Sequence, residues 1–196
     1  MQKIGVTGGI GSGKSLICKV FKIRYNIPIF EADKEAKKLI NTDKSLKEEI
    51  IKLLGSSSYT PEGKYNTKFV ASVVFNDTEK LKKLNTLVHR KVRVAFDSWA
   101  QQQNAPYVLQ EAAILIESGG YKQLDEVIVV TAPESLRIKR VQQRDKMTKE
   151  QVLQRISKQL TDNERMAYAG FIIENNGTIS ILEQVEKIHL KITQNG

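Results

Sequence analysis

Residues 8–16 read GGIGSGKSL, and they follow the apolar run KIGVT at positions 3–7. Four of the chain's twelve glycines, Gly8, Gly9, Gly11 and Gly13, fall within this short stretch. Glycine gives up more backbone entropy on folding than any other residue, so a cluster needs a reason such as positive φ angles or the close approach of a bulky group. The segment fits G-x-x-x-x-G-K-[ST] through Gly8, Gly13, Lys14 and Ser15, and the amphipathic stretch LICKVFKI comes next. Strand, loop and helix in that order are the setting of a phosphate-binding loop. Backbone N–H groups there are expected to converge on phosphate oxygens, with the helix that begins near Lys14 aiming its positive end at them. Lys14 should reach the β- and γ-phosphates, and the Ser15 hydroxyl should take a place on Mg²⁺. Gly11, Ser12, Gly13, Lys14, Ser15 and Leu16 thus form the expected nucleotide contact. On this reading the glycines are required because side chains would block the phosphates.

Working outward, apolar β-type runs recur at IPIF (27–30), PYVLQ (106–110), EVIVVTA (126–132) and FIIEN (171–175). Longer stretches of helical period separate them. That alternation predicts an α/β fold, a five-stranded parallel sheet covered by helices. The gap at 34–104 is unusually long and helical in pattern, broken at 55–66 by GSSSYTPEGKYN, whose Gly, Ser and Pro read as a loop. It is expected to be an inserted helical subdomain. Residues 133–168 form a second insert, with two helical stretches joined near Lys146, Met147 and Thr148, suited to a lid. The core would then comprise about 1–33, 105–132 and 169–196, closing with the amphipathic helix ISILEQVEKIHLKI.

Composition narrows the function. A length of 196 residues with 40% apolar content suits one sizeable core with appendages. No window holds eighteen consecutive apolar residues and no signal-peptide pattern precedes the first strand, so a cytoplasmic protein without a membrane partner is expected. Cys18 cannot form an internal disulfide and reads as packing. Net charge is +9, but the basic residues are spread through mixed-sign helical stretches such as KEAKKLINTDKSLKEEIIKLL, which read as solvated helix faces rather than a nucleic-acid surface. A phosphorylated small molecule is drawn to such a charge equally well. Two histidines and one cysteine at these separations give no zinc site.

Three further constellations can carry chemistry. IFEADKEAKKL puts Glu31 and Asp33 at the carboxyl end of the second strand, where open α/β sheets bind ligands. A carboxylate there can accept the proton of an attacking hydroxyl, and Asp33 can equally serve as the cap of the helix that follows. Arg137, Arg140 and Arg144 share one helix face at i, i+3 and i+7. Such a stripe is either solvated or closes over ATP phosphates, where guanidinium groups stabilise charge on the transferring group. His89 and Arg93 in LVHRKVRVAF lie one helical turn apart and can grip an anionic or hydroxylated second substrate. His189 reads as structural.

Taken together, GGIGSGKS, EADKEAKKL, LVHRKVR, AAILIESG, RIKRVQQRDKMTKEQVLQRISKQ and AGFIIENNGT resemble the dephospho-CoA kinases, in order and spacing, over nearly the whole chain. The resemblance implies transfer of the ATP γ-phosphate to the ribose 3′-hydroxyl of dephospho-coenzyme A, in a layout of core, CoA-binding helical domain and lid. It implies Asp33 as the base, Lys14 and Arg140 at the transferring phosphate, and Thr7, His89 and Arg93 beside the acceptor. Arg144 is expected on ATP, and Asn175 near its adenine, although an asparagine before a glycine often only makes a turn. Glu31 stands where the family often has aspartate, Arg90 where proline commonly follows the histidine, and Ala113 where proline is usual. These departures bear on the acceptor side rather than on catalysis. Oligomeric state is not legible.

A nucleoside or nucleoside-monophosphate kinase shares the loop, lid and sheet, and acceptor specificity separates it. A GTPase switch would carry N-K-x-D and D-x-x-G, and the chain contains neither.

Overall fold

The five apolar runs become five parallel strands, β1 (Gln2–Thr7), β2 (Ile29–Glu31), β3 (Tyr107–Glu111), β4 (Glu126–Thr131) and β5 (Phe171–Glu174), in the order β2-β3-β1-β4-β5. The computed structural model describes residues 1–194. Helices follow in chain order as α1 (Lys14–Tyr25), α2 (Ala32–Thr42), α3 (Lys44–Leu54), α4 (Thr67–Phe75), α5 (Thr78–Gln101), α6 (Glu134–Asp145), α7 (Lys149–Ile156), α8 (Asp162–Met166) and α9 (Ile181–Gln194). The chain divides into two compact units: residues 1–31 with residues 102 onward, and Ala32–Gln101.

In the sheet unit, alternation along the strands sorts side chains between two buried faces. Ile4 and Val6 of β1, Tyr107 and Leu109 of β3, Ile128 and Val130 of β4 and Ile173 of β5 form a core with Ile17, Cys18 and Phe21 of α1 and Val185, Ile188 and Ile192 of α9. Val108, Val127 and Val129 are buried on the other face. Burial of both faces explains why these runs are apolar throughout rather than alternating. β1 lies in the middle, paired with β3 on one side and β4 on the other, so the loop leaving its carboxyl end stands at the centre of the sheet's edge. Cys18 packs in this core with its thiol pKa raised by burial, as a structural residue should. His189 is structural too: its Nδ1 pairs with the Tyr107 hydroxyl at 2.8 Å and its ring stacks on Tyr25 at 3.8 Å.

In the helical unit, α5 packs along α2 and α3 through Leu84, Val88, Val92, Phe96 and Ala100, the four-residue period of one helix face. The loop expected at 55–66 contains a single 3₁₀ turn, Ser56–Ser58, and an antiparallel bridge from Tyr59 to Tyr65.

The structure corrects three boundaries. β2 covers only Ile29–Glu31 rather than 27–30; Pro28 has no N–H to give a ladder, and contributes its carbonyl to Leu109 N–H instead. α2 starts at Ala32, directly after the strand, so Asp33 belongs to a helix's first turn and neither ends the strand nor caps the helix. Residues 133–168 hold three helices, not two: Lys146 takes a left-handed φ of 56° to end α6, Thr148 opens α7 in a capping box with Gln151, and a second such box, Thr161 with Glu164, opens the short α8.

Phe21 is fully buried and meets Tyr107 edge to face with ring centroids 6.3 Å apart. Truncating it removes a large ring from the centre of the sheet–helix core, and Phe21→Ala should lower stability by about 3–5 kcal/mol. Urea denaturation of the two proteins measures the difference.

Candidate active site

A loop that turns its peptide N–H groups toward an anion must dispose of its carbonyls elsewhere, since a buried carbonyl without a partner is costly. Residues 8–13 do so completely. Gly8 C=O accepts from Lys14 Nζ at 2.9 Å, and Gly9 C=O from Ser12 N–H at 3.1 Å. Ile10 C=O accepts from Arg137 Nε at 3.0 Å, and Gly11 C=O from Arg140 Nη1 at 3.4 Å. Ser12 C=O accepts from Asn175 Nδ2 at 2.8 Å, and Gly13 C=O from Leu16 N–H at 3.0 Å as α1 begins. The amino end of α1, which begins at Lys14, thus faces the loop with its positive dipole end, the anion-binding end of a helix.

The same contacts add to the reason for the glycines. A Cβ on Gly9 would lie 2.2 Å from the Arg137 guanidinium, and one on Gly11, where φ is +79°, would lie 2.5 Å from the Arg137 carbonyl oxygen. The bulky group pressed on the loop is therefore helix α6 itself. At these two positions α6 forbids a side chain by itself, in addition to the phosphate access expected from the motif.

Helix α6 was expected to present Arg137, Arg140 and Arg144 as one stripe. The structure divides them. Arg137 is only 6% exposed, bound to Ile10 C=O and to both oxygens of Asp162 at 3.3 Å. Arg140 lies beside the loop, giving Nη2 to the Asn175 carbonyl and Oδ1 at 3.2 and 3.1 Å. Arg144 is exposed and turns to its neighbour Asp145, with contacts of 2.7 and 3.0 Å. The first two share the face packed on the loop; the third lies beyond the loop's reach. Behind them Arg165, fully buried, binds Asp162 and Glu117, each at 3.2 Å. Sequence reasoning missed Asp162, Arg165 and Glu117, because charges that are paired only through tertiary contacts look like any other surface charges in a sequence.

Asn175 is 3% exposed and holds the loop through Ser12. The turn belongs to Asn176, whose Oδ1 accepts from Thr178 and Ile179 N–H with Gly177 at φ +88°. Thr7 ends β1 with no exposure, and its Oγ1 has no hydrogen-bond partner among the described residues. Leu16 is exposed on the first turn of α1. Ser15 is also exposed there and donates its hydroxyl to Glu111 Oε1 at 2.6 Å. Glu111 in turn is the register partner of Glu31 across β3 and β2, so the two carboxylates share a face of the sheet at its carboxyl edge. One hydroxyl and two carboxylates are hard oxygen donors of the kind that suit Mg²⁺.

Within the helical unit, α2 and α5 carry the remaining candidates. His89 and Arg93 are half-buried one turn apart on α5, and the charges of Arg93 and Asp33 both act on the His89 ring. Arg90, the departure from the family pattern, points instead to α3, where Nη2 meets the two oxygens of Glu49 at 2.7 and 2.6 Å. Asp33 is exposed in the first turn of α2, where the helix dipole favours a negative charge.

Burial first and the Arg93 charge second hold the His89 pKa below its ordinary 6.5, with Asp33 opposing. Burial lowers that of His189 as well. A depressed folded-state value means that this stabilisation is complete above the unfolded value and is lost as pH falls through the folded one. The melting temperature should fall between pH about 7.5 and 5, and should fall less in His89→Gln. Equal slopes in the two proteins would place the acid sensitivity elsewhere.

The dephospho-CoA kinase family model matches residues 2–180. A dephospho-CoA kinase of Chlorobium chlorochromatii is 40% identical over 97% of this chain and 93% of its own. Among solved structures, a Thermus thermophilus protein superposes with a TM-score of 0.84 at 30% identity, covering 97% of this chain and 96% of that one. A Campylobacter jejuni dephospho-CoA kinase does so with a TM-score of 0.70 at 28% identity, covering 98% of each chain.

Proposed function

The chain belongs to the dephospho-CoA kinase family, and from that premise we propose how its residues perform the transfer. The reaction moves the γ-phosphate of ATP to the ribose 3′-hydroxyl of dephospho-coenzyme A, giving coenzyme A and ADP, the last step of coenzyme A synthesis. The observation that carries the site assignment is the loop at 8–13, whose carbonyls are all spent inside the protein. The amides of Ile10 and Ser12 are spent inside the protein as well, so the glycine amides of the loop, with the positive end of the α1 dipole, serve the β- and γ-phosphates.

Lys14 moves from the Gly8 carbonyl to the phosphates when ATP binds, adding a charge where negative charge accumulates. Arg140, already beside the loop, supplies a guanidinium to the same oxygens. Leu16 and Asn175 border the nucleotide, and Arg144 reaches it once released from Asp145. Ser15 and Glu111, with Glu31 beside them, would hold Mg²⁺. The ion supplies charge neutralisation across the β- and γ-phosphates. Asp33 orients the 3′-hydroxyl and receives its proton as bonding to phosphorus develops; because the transition state is loose the proton moves late, and positioning is the larger part of its role. His89 and Arg93 serve the acceptor, the neutral imidazole as a hydrogen-bonding group and the guanidinium as a counter-ion for its phosphates. Ala32–Gln101 is then the acceptor-binding unit, residues 133–168 the lid, and neither a nucleic acid nor a membrane is a partner. Among the described residues no helix is long and apolar enough to cross a membrane.

Labelled ATP offered with dephospho-coenzyme A, AMP, CMP, pantetheine or adenosine tests the acceptor directly; labelling of AMP or CMP in preference would point to a nucleoside-monophosphate kinase. Asp33→Asn keeps size and removes the basic oxygen, so kcat should fall by about 10² to 10⁴ while ATP affinity is retained. Wild-type turnover in that variant would return the role of base to Glu31. Glu111→Gln should raise the Mg²⁺ concentration for half-maximal activity roughly tenfold or more, since it loses one ion-holding carboxylate. An unchanged Mg²⁺ dependence would leave Glu111 only as a partner of Ser15.

A further inference from the structure

Ile10, the third residue of the loop, is held by residues 133–168 through all three of its groups. Its N–H donates to Gln159 Oε1 at 2.8 Å, and its C=O accepts from Arg137 Nε at 3.0 Å. Its side chain packs against the small cluster of Ile138 and Val141 of α6 and Val152 of α7, together with Met147 and Ile156. No phosphate contact is built into this residue. Its amide, the kind of donor that such a loop would otherwise turn toward an anion, goes to a glutamine from a segment almost 150 positions away in sequence.

The anchors are themselves fixed. Arg137 is nearly fully buried and paired with Asp162, which also binds Arg165, and Arg165 binds Glu117. Glu117 accepts from Leu160 N–H at 3.3 Å as well, next to Gln159 in the chain. The two side chains that hold Ile10 are thus tied back to one network around the fully buried Arg165. The Ile10 N–H belongs to the Gly9–Ile10 peptide and its C=O to the Ile10–Gly11 peptide, so two successive peptide planes are held, and the second of them carries the Gly11 N–H.

We propose that Gln159 and Arg137 are positioning residues for the nucleotide: acting through Ile10, residues 133–168 set the phosphate-binding geometry of the loop before any ligand arrives. Because the loop meets the phosphates of ATP and of the product ADP alike, loss of this setting weakens both, as expected of uniform binding, and leaves the affinity for the acceptor alone. The inference rests on the kinase reading given above, since it takes the loop's ligand to be a nucleoside di- or triphosphate.

The variants are Gln159→Leu, which removes the acceptor at similar size, and Ile10→Ala, which withdraws the side chain and leaves both backbone bonds possible. ADP binding by calorimetry in the full chain should weaken about fivefold to tenfold in Gln159→Leu, the worth of one hydrogen bond. KM for ATP should rise in step, KM for dephospho-coenzyme A should stay constant, and the ligand-free melting temperature should remain within a few degrees of the parent. Ile10→Ala should show the same separation between the two substrates, so that a folding defect in either protein alone does not decide the matter. ADP affinity equal to the parent's in both variants would overturn the inference while wild-type binding of ADP upholds the kinase reading. Parallel losses for ATP and dephospho-coenzyme A would also overturn it, by making these residues merely structural. A wild-type chain that binds no ADP would remove the kinase reading and the inference together.

Discussion

The disposal of carbonyl groups in the loop between β1 and α1 governs this structure. Peptide dipoles can be aimed at an anion only if their negative ends are held somewhere else, and in a tightly bent loop that place is the protein interior. Here it is supplied by two arginines of α6 and by Asn175 at the end of β5, elements that follow the loop by more than a hundred residues. Their side chains must be cationic or amide, because only strong N–H donors can satisfy several carbonyls at once. Arg137 must in turn be neutralised, which accounts for Asp162, and Asp162 with Glu117 also balances the fully buried Arg165. A buried network of this kind adds less to stability than its charges suggest, since desolvation offsets much of the attraction. Its value lies in fixing the relative positions of α6, α8 and the loop.

The parallel sheet makes those long-range contacts possible. With β1 central and β3 and β4 on either side, every chain segment that leaves a carboxyl end emerges along the same edge. Glu31 and Glu111 arrive there as register partners from β2 and β3, and Asn175 follows directly after β5. Residues far apart in the chain are brought to one place by strand order alone. The helical unit works differently: His89 and Arg93 meet because they are one turn apart on α5, and α2 contributes Asp33 to their electrostatic surroundings. One side of the chemistry is assembled by topology and the other by helical period.

Local physics made much of this visible in the residues themselves. GGIGSGKS between an apolar run and an amphipathic one specifies a phosphate loop, and the five apolar runs separated by helical stretches specify a parallel sheet, because period and flanking residues are short-range properties. The spacing of His89 and Arg93 and the packing role of Cys18 were legible for the same reason. The start of α2 is not legible, since strand and helix there abut with no intervening turn residue, nor is α8, because five residues are too few to show a period.

What tertiary structure alone decided is which side chains are enclosed and by what. Arg137, Arg140 and Arg144 are equivalent in sequence, three cations on one helical face, yet one is buried against the loop, one rests beside it and one is in solvent. The glycines at 9 and 11 are required by the packing of α6, which the motif does not record. Burial depends on the packing of elements distant in the chain, and a sequence motif records only that something lies close to the backbone, not whether it is the ligand or the protein.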